Sequence, residues 1–130
     1  MSHPLRRLAL AAAFLLAAAC ASRGNGSAGG GADLYVLFGN NTIHQASVYA
    51  ITAGGTTTRV GTVFAGRRER LRLPATVLAG TRTIEFEARM LSKEGTPRSG
   101  QITFAPGDSL EVSLSSDGLM LSVLPLRGGK

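Results

Sequence analysis

Few side chains in this sequence could do chemistry. Its 130 residues contain two histidines, His3 and His44, and one cysteine, Cys20. His44 lies in the polar stretch Asn40-Asn41-Thr42-Ile43-His44-Gln45. A metal site needs three or four converging ligands, so one histidine with no cysteine or carboxylate beside it implies none. His44 combines formally with serines and with Asp33, Asp108 or Asp117, but no nucleophile-elbow spacing accompanies them. Glu85 and Glu87 would stand about 7 Å apart on one face of a strand, which overlaps the spacing of glycosidase carboxylates. Arg89 continues that row, as expected of a solvated face. The residues therefore predict no enzyme, no cofactor and no metal.

The arginines are the next candidates. Lys plus Arg number 14 against 8 Asp plus Glu, and Arg6 and Arg7 fall in the apolar leader, so the excess over the rest is small. Its uneven part is Arg67, Arg68, Glu69, Arg70 and Arg72, which with Arg59 would form a basic edge for anionic headgroups, lipopolysaccharide or acidic polymer. The alternative is a solvated strand whose arginines guard it against edge pairing. Trp is absent, and two Tyr and five Phe are too few for stacking platforms. Few basic residues and an export signal argue against nucleic acid as a partner.

A lone cysteine can form neither an internal disulfide nor a cysteine zinc site, so the meaning of Cys20 lies in its position. Residues 1–19 have the order of a secretory signal: Arg6 and Arg7, an apolar stretch from Leu8 to Leu16, then Ala17, Ala18 and Ala19. The apolar stretch is shorter than the roughly 20 residues that span a bilayer. Leu16-Ala17-Ala18-Ala19-Cys20 resembles the lipobox of bacterial lipoproteins, although Ala17 stands where that family prefers Leu. The resemblance implies cleavage before Cys20, acylation of Cys20 (diacylglycerol on its thiol, a further acyl group on its amine) and residence at the membrane. Ala21, rather than the Asp that retains such proteins at the inner membrane, implies sorting to the outer membrane of the cell envelope, on its periplasmic face. The Arg6-Arg7 pair lacks the flanks of a twin-arginine signal, which leaves the general secretory route. Ala19-Cys20-Ala21 also fits ordinary signal cleavage, which would release a chain starting at Ser22.

From Ala21 to Ala32 the sequence is mostly Gly, Ser and Ala. It lacks the Lys and the preceding strand of a phosphate loop and predicts a flexible tether with a mean span of about 20 Å. The elements that position everything else follow from Asp33. In Thr83–Met90, Ile84, Phe86, Ala88 and Met90 share one face while Glu85, Glu87 and Arg89 share the other, the period of a half-buried strand. Leu110–Ser115 repeats the pattern after the turn Ala105-Pro106-Gly107-Asp108, whose order suits type II. Ser116-Asp117-Gly118 predicts a hairpin, with Leu119–Leu124 returning and Pro125 closing the strand. Leu34–Phe38, Ser47–Ile51, Arg59–Phe64, Arg70–Leu73 and Ile102–Phe104 complete seven or eight short strands, and no stretch shows a helical period.

The expectation is an all-β fold: a small antiparallel β-sandwich, immunoglobulin-like or transthyretin-like, of about seven strands, preceded by a signal helix and flexible linker. The domains are 1–19 signal peptide, 20–32 lipidated Cys20 and tether, 33–125 sandwich and 126–130 disordered tail. Val48-Tyr49, Gly54-Gly55 and Arg59–Val63 are similar to the middle of small exported β-sandwich modules of bacterial lipoproteins, a resemblance that implies fold and no chemistry. The function so predicted is a lipid-anchored structural or binding module with the membrane, and an envelope protein, as partners. The alternative is an anionic-ligand module using Arg67–Arg72, followed by an envelope hydrolase dependent on His44 or Glu85.

Overall fold

The computed structural model describes residues 32–126 apart from Ala79 and Pro106. Cys20, the signal and all but Ala32 of the tether lie outside those residues, as does the tail from 127 to 130. Eight strands follow one another: β1 (Leu34–Asn40), β2 (Ala46–Thr52), β3 (Thr57–Val63), β4 (Arg68–Leu73), β5 (Thr83–Met90), β6 (Arg98–Thr103), β7 (Ser109–Leu114) and β8 (Leu121–Leu126). They form two sheets of four, the first in the order β4-β1-β7-β8 and the second β3-β2-β5-β6. The fold is an all-β sandwich.

Period-2 alternation builds it. Val36, Phe38, Leu110, Val112 and Leu114 of the first sheet face Ala46, Val48, Ala50, Ile84, Phe86 and Ala88 of the second, and all are buried. Among the described residues, every apolar side chain of the buried core lies between Leu34 and Leu121.

β6 begins at Arg98, four residues before the expected Ile102–Phe104, and four further details differ from the sequence expectation. β1 and β7 run parallel, with Val36 beside Leu110 and Phe38 beside Val112, while the other pairs are antiparallel. This is the geometry that a long crossover through β2–β6 permits. A four-residue helix, α1 (Ala75–Leu78), links β4 to β5 and is too short to show a helical period in the sequence. The last strand runs from Leu121 to Leu126, two residues later than expected, with Pro125 inside it opposite Leu110. β8 is an edge strand, where a missing N–H costs no ladder bond. Finally Glu87, on the predicted wet face of β5, is only 2% exposed.

The expected turns form. Asp108 N donates to Ala105 O at 3.1 Å, with Gly107 at φ 82° as a type II turn requires. Gly118 N donates to Ser115 O at 2.8 Å inside the β7–β8 loop.

Candidate functional site

β4 places the basic run. Arg68, Arg70 and Arg72 alternate with Glu69, Leu71 and Leu73, so the three arginines stand on the outer face of the first sheet while the leucines enter the core. The register sets Arg72 beside Tyr35, Arg70 beside Leu37 and Arg68 beside Gly39. The same rows continue across β7 and β8 as Ser109 and Leu126, then Glu111 and Leu124, then Ser113 and Ser122.

Two of these cations are compensated. Arg68 Nη2 lies 3.3 Å from Glu111 Oε1, and Arg72 Nε donates to Asp33 Oδ2 at 2.6 Å. That hydrogen bond, with a second from Ala75 N, holds the Asp33 carboxyl below its ordinary range, and Asp33 in turn raises the Arg72 guanidinium. Arg70 has no carboxylate partner among the described residues. Its guanidinium lies 4.1 Å over the Tyr35 ring, a stacked position that leaves its edge donors free. Tyr35, Leu37, Arg70, Ser109 and Leu126 line a shallow depression of about 310 Å³. One free cation, two hydroxyls and two leucines converge there, which suits an anionic group carried on an apolar or sugar-like body.

Arg67 and Arg59 do not share this face. Arg67 is exposed in the turn before β4, and its carbonyl accepts from Asn40 N at 2.9 Å. Arg59, expected to extend the run, sits on β3 opposite Tyr49, on the outer face of the second sheet, and its guanidinium bonds Thr62 Oγ1. The sandwich separates it from the β4 arginines, because the two sheets lie about 10 Å apart and face away from each other.

The outer face of the second sheet explains the burial of Glu87. Arg89 Nε donates to Oε1 at 2.6 Å, and Arg98 Nη2 lies 2.8 Å from Oε2. Arg98 also reaches Glu85 Oε1 at 3.6 Å, and Arg89 stacks 4.3 Å over Tyr49. The Glu87 bond raises the Arg89 guanidinium. Both oxygens of Glu87 are thus engaged by guanidinium groups, the arrangement of an ion-paired clamp between β5 and β6. His44, expected as a loop residue, lies in the β1–β2 loop with Nδ1 2.7 Å from Ser92 Oγ.

The sequence did not announce a second surface. β1, β3, β5 and β7 end, and β2, β4, β6 and β8 begin, at one end of the sandwich. Residues 41–45, 64–67, 91–97 and 115–120 form the four loops there. They are bound to one another: Gly66 N donates to Thr42 O at 3.2 Å, Ser92 meets His44, and Gly118 packs against Met90 and Lys93. At their centre is buried Asn40, whose Nδ2 donates to His44 O at 2.7 Å and Val63 O at 3.0 Å. Its Oδ1 accepts from Thr42 N at 3.0 Å and Thr42 Oγ1 at 2.7 Å. In the last loop Asp117 accepts from Leu119 N at 3.0 Å and from Ser115 Oγ, bonds that hold its carboxyl below the ordinary range.

These rigid loops hold apolar side chains out in water. Ile43, Phe64, Leu91, Leu119 and Met120 are all exposed, from 59% at Phe64 to 95% at Leu91.

No family model matches the sequence, and neither does any curated protein. Among solved structures, a protein from Eubacterium rectale is similar at 13% identity, over 75% of this chain and 90% of its own, with a TM-score of 0.47. The CBM25-1 of the beta/alpha-amylase from Paenibacillus polymyxa is similar at 10% identity, over 77% and 97%, with a TM-score of 0.45. A Gram-negative toxin is similar at 13% identity over 76% of this chain and 23% of its own, with a TM-score of 0.38. Likeness this remote says nothing of a ligand.

Proposed function

We propose that the protein is a binding module of the bacterial cell envelope, held at a membrane by acylated Cys20, that takes an anionic group on the outer face of its first sheet. The observation that carries this reading is Arg70, stacked on Tyr35 with no carboxylate partner among the described residues, beside a depression that offers two hydroxyls. Its guanidinium is held in place before a ligand arrives, so little side-chain entropy remains to be lost on binding. Arg68 and Arg72 flank it at adjacent rows, and because they are paired with Glu111 and Asp33 the uncompensated positive charge of this row is that of Arg70.

The group recognised is a phosphate or carboxylate, carried by an envelope polymer or by a lipid headgroup. The tether of roughly a dozen residues keeps the domain close to both. No catalytic residue is assigned.

Binding of residues 21–130 to soluble polyphosphate and to phosphatidylglycerol vesicles, measured side by side, tests the reading and separates the two sources. Arg70→Glu is expected to weaken binding by at least about tenfold, the worth of one charge-assisted contact. Arg59→Glu, on the opposite face, is expected to leave it unchanged. Equal losses from the two substitutions, or none, would remove the first sheet as the binding face.

A further inference from the structure

Nothing in the strand pattern requires apolar residues on the four loops, yet each of these loops presents at least one. We infer that this end of the sandwich is a lipid-inserting tip, in which Ile43, Phe64, Leu91, Leu119 and Met120 enter the apolar edge of a bilayer. The five side chains project from four separate loops, Leu119 and Met120 sharing the last. A protein partner would have to enclose each in its own pocket to gain much from it, whereas a bilayer closes around any convex apolar shape. The loops are also rigid where it matters. The buried Asn40 and Thr42 side chains fix the backbone on both sides of Ile43, and Asp117 and Ser115 fix that of Leu119 and Met120. Insertion therefore costs little ordering.

The charges at this end decide which lipid is needed. Arg67 and Lys93 are matched by Glu94 and Asp117, and Lys93 lies near enough to Asp117 to lower its carboxyl further. The tip is electrically balanced, so apolar burial drives insertion and a neutral bilayer suffices. This separates it from the β4 face, whose binding needs anionic groups and weakens with salt.

The chain enters β1 at the opposite end of the sandwich. A tether of a dozen residues reaches roughly 40 Å when extended, against roughly 23 Å for the seven residues of β1, so the tip can turn to the membrane that holds Cys20. In that clause alone the inference rests on the anchored reading. Confinement by the tether supplies a local concentration in the millimolar range, at which modest insertion affinity is enough.

Absence of native Trp gives a clean probe. In residues 21–130, which hold the whole buried core of the described residues, Phe64→Trp and Leu119→Trp place the reporter on the tip, and Leu124→Trp places it on β8 away from the loops. With neutral phosphatidylcholine vesicles carrying brominated acyl chains, emission from the two tip variants is expected to shift to the blue and be quenched, while the Leu124→Trp variant stays water-like. Combined Ile43→Ser, Leu91→Ser and Leu119→Ser substitutions are expected to lower partitioning by at least about tenfold with an unchanged urea midpoint. Tip reporters that remain in water, quenching as strong at position 124, or partitioning insensitive to the triple substitution would overturn the inference.

Discussion

Replacing Asn40 by Ala tests whether one buried amide holds the four loops together. Asn40 is 1% exposed and makes four hydrogen bonds, two from Nδ2 and two to Oδ1. The Thr42 hydroxyl already lies 3.0 Å from His44 O and can donate there once Oδ1 is gone. Val63 O then loses its side-chain donor, and Thr42 N loses its acceptor. Two buried groups left without these partners cost about 1–3 kcal/mol each, so Asn40→Ala is expected to destabilise by about 2–6 kcal/mol. At about 4–8 °C per kcal/mol for a domain of this size, that is a fall in Tm of roughly 10–45 °C. Asn40→Asp keeps the acceptor but turns a second oxygen toward two carbonyls, and is expected to be at least as damaging. Urea denaturation of residues 21–130 followed by circular dichroism measures the loss, and amide exchange reports whether residues 41–45 open first. A loss below about 1 kcal/mol, with exchange unchanged, would refute the role given to this hub.

Two other predictions concern the charged groups. Glu87→Gln removes the anion between Arg89 and Arg98; because those side chains are 50% and 56% exposed, the expected cost is about 1–3 kcal/mol, less than for a fully buried pair, and an unchanged urea midpoint would contradict the clamp. Asp33 and Asp117 both titrate below the ordinary carboxylate value of 3.8 in the folded chain. Their contribution is fully present above that value and is lost as pH falls through the lower folded values. The urea midpoint should therefore drop on acidification below about pH 4, and more shallowly in Asp33→Asn; an identical acid limb in the variant would show that the Arg72 and Ala75 contacts do not act on stability.

The fold was largely legible because most of the strands announce themselves locally. Alternation in Thr83–Met90 and Leu110–Leu114 identified the core side residue by residue, and Gly107 and Gly118 marked their turns. What lay beyond reach depended on neighbours. Arg59 looked like part of the basic run because nothing local says that β3 and β4 belong to different sheets. Glu87 was placed on the correct face, but its burial comes from Arg98 on β6 and Arg89 two residues along its own strand, and β6 was legible only in part. The apolar tip was invisible for a similar reason: Ile43, Phe64, Leu91 and Leu119 are spread over 77 positions of the sequence, and only the strand order gathers their loops at one end.

Position at a membrane is the central claim of the proposed function, and the intact mass of the protein extracted from membranes tests it most directly. A chain beginning at Cys20 and carrying a diacylglyceryl group is the predicted result, with a Cys20→Ala variant that lacks the added mass. An unmodified chain beginning at Ser22 would contradict the account.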